Sequence, residues 1–140
     1  MLMSSPDYSC VSLYLVAVIT DAKGKMLLHM DAERKCWSLP QLPLAVSSSL
    51  AKAITDLLHS EFGESVSYKN LIGLFNSRAS SGRAPALFIA VTGEHSLPAT
   101  LLNTGVEGLF FAPGDLPSFS DVVHLEILTA FLAGRRGVLG

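Results

Sequence analysis

The stretch that decides the fold of this chain lies between Trp37 and Gly63. It reads Trp-Ser-Leu-Pro-Gln-Leu-Pro over 37–43 and Ser-Leu-Ala-Lys-Ala-Ile-Thr-Asp-Leu-Leu-His-Ser-Glu-Phe-Gly over 49–63. Pro40 and Pro43 bracket a loop that cannot be helical, because proline lacks an amide donor and restricts the residue before it. The second part predicts an amphipathic helix, since its apolar residues recur at helical spacing: Leu50, Ile54, Leu57, Leu58 and Phe62.

The ends of this helix are also predicted by residue type. Any serine of the run 47–49 can accept hydrogen bonds from the first free amides of a helix. Gly63 suits the position that ends a helix, where a left-handed backbone is common.

Two hairpins are predicted around the helix. Before it, the apolar run Cys10–Thr20 is typical of a central strand covered on both faces, and a turn at Asp21–Gly24 leads to a second strand over 25–30. After it, the residues 65–76 alternate loosely and are followed by an apolar run over 86–92. Gly73 is a candidate bulge in this second hairpin.

The last third of the chain predicts one strand and one helix. We expect a long connection over 93–105, a strand over 106–112 and a turn at Pro113–Pro117. A closing helix is predicted over Asp121–Ala133, followed by a tail over 134–140. Its inward side is predicted to carry Val122, Leu125, Leu128 and Phe131 or Leu132.

The length and composition are those of one domain spanning 1–140, with a core over about 10–133. Hydrophobic residues make up 49% of the 140 residues and charged residues only 16%. This apolar excess is enough for a sizeable core and leaves apolar surface over. We therefore expect self-association, in the form of a homodimer.

Charge and cysteine usage exclude several classes of protein. The net charge is −2 and there is no basic run, so binding to nucleic acid is not expected. Cys10 and Cys36 form no CxxC motif, which favours reduced thiols in the cytosol. The apolar run 11–19 is too short to span a bilayer and carries no cleavage-site pattern. We expect a cytoplasmic protein that does not bind membranes.

The order of these elements resembles the Nudix fold, an α/β/α sandwich around a mixed β-sheet. Val16–Leu28 is similar to the opening strand, turn and strand of that family, and Trp37–Pro40 to its lead into the catalytic loop. Gly108–Pro117 is similar to its later strand and turn. Together these matches extend over about 13–131. The resemblance implies hydrolysis of a pyrophosphate in a nucleoside-diphosphate-linked compound.

The family's catalytic signature is G-x5-E-x7-R-E-U-x-E-E-x-G-U, where U is a bulky aliphatic residue. The resemblance implies that helical glutamates bind Mg²⁺, which neutralises the pyrophosphate and positions a water for attack on phosphorus. The arginine helps to hold the glutamates. The glycines allow the loop to turn tightly against the helix.

Anchoring this signature on Gly63 retains its spacing but few of its charged residues. Gln41 and Leu42 replace the Gly-Gly pair, and Leu58 keeps the aliphatic position. The other positions, in order of Glu, Arg, Glu, Glu, Glu and the final aliphatic residue, are occupied by Ser48, Asp56, Leu57, Ser60, Glu61 and Glu64.

Glu61 is thus the catalytic and metal-binding position that the signature retains, and Asp56 is a candidate substitute carboxylate. They are five residues apart, which does not align them on one helical face as well as three or four would. Glu64, Glu94 and Glu107 are candidates for a carboxylate from outside the signature. The family implies Mg²⁺ as cofactor, but with most ligands missing we expect weak or absent Mg²⁺-dependent hydrolysis.

Candidate ligand-binding residues lie in the loops that would flank the cleft. Arg34, Arg78 and Arg83 are candidates for binding a phosphate, and Trp37 for stacking on a base. The four histidines show neither metal-ligand spacing nor a nucleophile partner, and His59 is predicted to lie on the surface.

Three hypotheses follow. The chain is a binding or regulatory module for a nucleotide-like ligand or a protein partner; or it is an active but divergent hydrolase that uses Glu61 with carboxylates from elsewhere; or it is an α/β interaction domain.

Overall fold

The strands and helices follow the apolar periodicity of the sequence. The computed structural model describes residues 12–31, 36–46, 49–76, 85–96, 108–119 and 121–140. Its strands are β1 (Ser12–Thr20), β2 (Met26–Asp31), β3 (Cys36–Ser38), β4 (Gln41–Pro43), β5 (Val66–Asn76), β6 (Ala86–His95), β7 (Gly108–Phe111) and β8 (Val138–Leu139). The helices are α1 (Leu50–Phe62) and α2 (Val122–Leu132), and Pro113–Asp115 forms a 3₁₀ turn. No described helix is long and apolar enough to cross a bilayer.

The described strands form one mixed sheet with the order β3-β2-β1-β6-β5-β8, and β4 pairs with β1 while β7 pairs with β2. β1 lies beside β6 in parallel register, from Ser12 opposite Ala86 to Thr20 opposite Glu94. β5 and β6 are antiparallel and form the second predicted hairpin. Register shifts occur between Tyr68 and Asn70 and between Leu71 and Gly73, so the bulge expected at Gly73 is confirmed.

The two helices cover opposite faces of this sheet. Alternate residues of β1 point to opposite faces. Leu15, Ala17 and Ile19 pack with α1, whereas Val16 and Val18 pack with α2. The expected α/β/α sandwich around a mixed sheet is therefore confirmed.

The ends of α1 are those that its sequence predicts. The Ser49 hydroxyl accepts a hydrogen bond from the Lys52 amide at 3.1 Å. Gly63 has φ of 83°, and its amide donates to the His59 carbonyl at 2.9 Å. Ile54, Leu58 and Phe62 are buried, but Leu50 is exposed rather than inward.

Three expected non-strand segments contain strand residues. The loop between Pro40 and Pro43 includes β4, which pairs with β1 at Leu42 opposite Leu15. β6 continues to His95, inside the expected long connection. The expected tail contains β8, because Val138 pairs with Gly73 at the edge of the sheet.

The expected inward face of α2 was wrong at three of its positions. Val122 and Leu125 are 64% and 50% exposed, and Leu132 is also exposed. The buried set is Val123, His124, Ile127, Leu128 and Ala130. α2 is apolar on most of its circumference, so apolar spacing alone does not define its rotation. In the observed rotation, hydrogen bonds form at the start of the helix: the Asp121 carboxylate accepts from the Val123 amide, and the His124 ring accepts from the Leu39 amide.

Candidate functional site

A cleft of about 360 Å³ lies between α1 and the segment that follows β4. One wall is formed by the end of β4 and the residues after it, and the other by one side of α1. The described residues that line it are Pro43, Leu44, Ala45, Lys52, Ala53, Asp56, Leu57 and Ser60.

The sheet and the helix position both walls. β4 is hydrogen-bonded to β1, and the Leu44 amide donates to the Leu13 carbonyl at 3.0 Å. Leu44 is buried beneath the cleft, in the same apolar cluster as Ile54 and Leu58 of α1. Ala53, Asp56, Leu57 and Ser60 are three or four residues apart, so they share one side of the helix.

The charged groups of the cleft form an ion pair. Lys52 Nζ lies 2.6 Å from Asp56 Oδ2, one helical turn away, and the two side chains are 66% and 61% exposed. A pair this exposed is worth only about 0.3–0.5 kcal/mol. It nevertheless places a cation against the one carboxylate that lines the described part of the cleft.

The positions of the family's signature occupy this cleft in part. Leu57 is half-buried and Ser60 is exposed, and both line the cleft. Leu58, at the aliphatic position, is fully buried in the core. Glu61 is half-buried and is not among the described lining residues, so the structure does not bring Asp56 and Glu61 together there. Their assignment to metal binding and catalysis stays a prediction.

The described residues of this cleft do not fit Mg²⁺. The ion prefers near-octahedral coordination by about six oxygen ligands. The described wall offers one carboxylate, already paired with Lys52, and the hydroxyl of Ser60. Across the described ranges there is no group of three or more His, Cys, Asp or Glu residues that could hold a metal ion.

The other predicted site residues are elsewhere or lie outside the described residues. Trp37 is half-buried in β3, and its ring meets that of Phe111 edge-on at 4.9 Å. Glu94 is on β6, 3.7 Å from Lys69, and Glu64 is exposed after α1. The residues outside the described ranges are Arg34, Ser48, Arg78, Arg83 and Glu107.

A buried polar contact that the sequence reasoning missed joins α2 to β4. The Leu39 amide donates to Nδ1 of His124 at 3.2 Å, and Nε2 of His124 lies 2.7 Å from Oε1 of Gln41. Burial lowers the pKa of His124, and the Asp121 carboxylate opposes this shift in part. The sequence feature that could have indicated this contact is Gln41, which has a side-chain amide at a position where the family has glycine.

Two further histidines lie on the α1 side of the sheet, where His95 is buried and His29 is half-buried. His95 packs against the ring of Phe110, and His29 against that of Phe62. Within the described part of the chain, both ring nitrogens of His95 and Nε2 of His29 have no hydrogen-bond partner. Burial lowers the pKa of His29. His59 is exposed, as expected.

A second groove, of about 440 Å³, lies between α2 and β8. Its lining is largely apolar and includes Phe75, Val122, Leu125, Val138 and Leu139. Arg135 and Glu126 contribute the charged groups of the lining.

Comparison with known proteins gives matches at the level of structure. No protein-family model and no curated protein matches the sequence. A NUDIX hydrolase from Nitrosomonas europaea is similar with a TM-score of 0.66 and 20% identity, over 90% of this chain and 91% of that one. A UDP-X diphosphatase is similar with a TM-score of 0.65 and 17% identity, over 100% of this chain and 70% of that one.

A third similar structure is an ADP-ribose pyrophosphatase from Streptococcus suis. It has a TM-score of 0.57 and 18% identity, over 92% of this chain and 96% of that one. At these sequence identities the comparison concerns the backbone fold and not individual site residues. With its mixed sheet, its two flanking helices and a cleft beside the first helix, the chain has the Nudix fold.

Proposed function

We propose that this Nudix-fold chain is a binding or regulatory module for a nucleotide-like small molecule, and that its Mg²⁺-dependent pyrophosphate hydrolysis is weak or absent. One observation carries the proposal. The α1 side of the cleft presents Leu57 and Ser60, and its one carboxylate, Asp56, is paired with Lys52.

The catalytic half of the proposal follows from charge. Attack of water on a pyrophosphate needs a metal ion that neutralises the phosphate oxygens and positions the nucleophile. An aliphatic side chain such as Leu57 can neither bind a hard cation nor accept a proton from water. Loss of such electrostatic stabilisation typically costs several kcal/mol, or a factor of at least about a hundred in rate.

The binding half of the proposal is supported by the size and charge of the cleft. Its volume is within the range of about 300–1,000 Å³ that is usual for small-molecule sites. Lys52 can exchange Asp56 for a phosphate oxygen, because the pair is exposed and weak. Two of the similar structures are named for nucleoside diphosphate derivatives, UDP-X and ADP-ribose, which makes these compounds the first probes to use.

The hydrolysis experiment compares the chain with variants of its own cleft. ADP-ribose turnover is measured with Mg²⁺ and with Mn²⁺ for the wild type, for Leu57→Glu/Ser60→Glu, and for the uncharged control Leu57→Gln/Ser60→Gln. We expect weak turnover or none for the wild type and a metal-dependent gain for the glutamate variant alone. Wild-type turnover at ordinary enzyme rates, about 1 s⁻¹ or faster with Mg²⁺, would contradict the proposal.

The binding experiment omits metal. With EDTA present, ADP-ribose is expected to raise the melting temperature of the wild type, and Lys52→Met is expected to reduce that rise. Lys69→Met is the matched control, because Lys69 pairs with Glu94 away from the described cleft lining. A rise that requires Mg²⁺ would favour the divergent hydrolase, and no effect of ADP-ribose would favour the interaction domain.

We also propose a homodimer that uses the groove between α2 and β8. Val122, Leu125 and Leu139 are 64%, 50% and 82% exposed and line this one groove, which fits the apolar excess of the composition. Burying such side chains contributes about 1.5–3 kcal/mol each. Leu125→Asp is expected to convert a dimer to a monomer in light scattering. The matched control Leu109→Asp, at a leucine that is 53% exposed and does not line this groove, should leave the dimer intact. A wild-type monomer at high concentration would contradict this assignment.

A further inference from the structure

His124 joins three separate parts of the fold by hydrogen bonds. Its Nδ1 accepts from the amide of Leu39 in the link between β3 and β4, and its Nε2 contacts the side chain of Gln41 in β4. The residue itself is in the first turn of α2, and its own amide donates to Asp121 Oδ1 at 3.1 Å. The side chain is only 3% exposed, so water does not replace these contacts readily.

These contacts require one protonation state. Because Nδ1 accepts the Leu39 amide, it must carry a lone pair. The proton of the neutral ring is then on Nε2, where it is donated to Gln41 Oε1. A second proton would have to occupy Nδ1 and would face the Leu39 N–H, donor against donor. Protonation of His124 is therefore incompatible with the bond to Leu39.

Among the described residues, Asp121 is the charged group placed beside the ring. On its own helix, Asp121 Oδ2 lies 4.0 Å from Nε2 and favours the protonated ring. The titratable residues of the neighbouring strands β3 and β1 include Cys36 and Tyr14. Asp121 is also the residue whose carboxylate caps α2, with bonds to the amides of Val123 and His124.

The segment held by His124 leads directly into the cleft. Leu39 and Gln41 lie only a few residues before Pro43, Leu44 and Ala45, which form the wall opposite α1. At its other end the segment carries Trp37, which forms a β-bridge with Phe119 just before α2. A change at His124 can therefore reach both the wall of the cleft and the environment of Trp37.

We propose that His124 is a proton-sensitive latch: its neutral ring fastens the β3–β4 segment to α2, and its protonation on acidification releases that segment and alters the wall of the cleft. The latch is a property of this chain's own Gln41 and His124, and it does not depend on the proposed function. Below neutral pH, the wall of the cleft that follows β4 would then be held less tightly.

The test uses Trp37, the single tryptophan of the chain, as a local probe. In the wild type we expect a reversible change of Trp37 fluorescence below pH 6.5, at pH values where far-UV circular dichroism is unchanged. His124→Asn can still accept from Leu39 but cannot titrate, so the change should be absent. His59→Asn, at an exposed histidine, should leave it unaltered.

A second variant tests the latch without removing the histidine. Gln41→Glu places a carboxylate against Nε2 and should move the midpoint of the Trp37 change upward by about 1 pH unit or more. The proton resonances of His124 should titrate with the same midpoint. The proposal is overturned if His124→Asn retains the wild-type change, if Gln41→Glu leaves the midpoint in place, or if Trp37 responds only when the whole chain unfolds.

Discussion

Gly73 and Val138 are in direct backbone contact, because a Cβ on Gly73 would overlap the carbonyl of Val138. This contact allows β8 to pair with β5, and the Gly140 amide donates to the Leu74 carbonyl at 2.8 Å beside it. The absence of a side chain at Gly73 is therefore a condition for closing this edge of the sheet.

Gly73→Ala is accordingly expected to displace β8. We expect a loss of about 1–3 kcal/mol in the free energy of unfolding, as for other overpacked sites. Faster hydrogen exchange should appear at residues 138–140. Gly114→Ala is the control, since a Cβ at Gly114 meets nothing within 4 Å. Equal protection of β8 in Gly73→Ala and the wild type would contradict this account.

The buried and half-buried leucines of α1 should differ in their contribution to stability. Leu58 is fully buried against the sheet, whereas Leu57 is partly open to the cleft. Leu58→Ala is expected to cost about 2–5 kcal/mol in chemical denaturation. Leu57→Ala, which removes the same atoms one position earlier, should cost clearly less. A larger loss of stability for Leu57→Ala than for Leu58→Ala would contradict the packing of α1 described above.

Stability should fall as the pH falls below about 6.5. Burial lowers the pKa of His29 and of His124 in the folded chain, while both keep ordinary values near 6.5 when unfolded. The unfolded chain then binds more protons, so the free energy of unfolding decreases as pH drops through 6.5 towards the folded values. Urea titrations at pH 7.5 and 5.5 measure this. His29→Gln should flatten the dependence, and His59→Gln should not.

Substitutions of Asp121 can separate its hydrogen bonds to the first amides of α2 from the electrostatic effect of its charge. Asp121 Oδ1 accepts from the amides of Val123 and His124 at 2.9 and 3.1 Å. Asp121→Ala is expected to lose about 0.5–2 kcal/mol, whereas Asp121→Asn retains an acceptor and should lose less. Because the carboxylate raises the pKa of His124, both variants should lower that pKa in an NMR titration. An unchanged value would mean that Asp121 does not act on His124.

The sequence predicted those parts of the fold whose local signals agree. β1 is a long apolar run, and α1 has both a serine cap and Gly63. In α1 the apolar spacing and the residues that begin and end the helix therefore predict the same element. β4 was missed because Pro40 precedes it and Pro43 is one of its three residues, and β8 because two residues carry no periodicity. Both depend on pairing with distant strands, which local patterns do not encode.

The candidate site was predictable to a similar extent. Aligning the signature on Gly63 led to the side of α1 on which Asp56, Leu57 and Ser60 line a cleft. It did not lead to His124, since the bonds of that ring to Leu39 and Gln41 cross more than eighty positions of the chain, with separations of 85 and 83 residues. The predicted rotation of α2 was wrong for the same reason. In a helix that is apolar on most sides, the buried side depends on contacts with residues distant in sequence.

The parallel pairing of β1 with β6 also bears on how the chain folds. The hairpins β1–β2 and β5–β6 can each form from neighbouring residues, but β1 reaches β6 only after a long intervening loop that contains α1 has closed. Such non-local pairing is a slow event in folding. We therefore expect the two hairpins to assemble early and the cleft beside α1 to be completed late, when the halves of the sheet join. Substitutions at the β1–β6 seam should then slow folding more than substitutions within either hairpin.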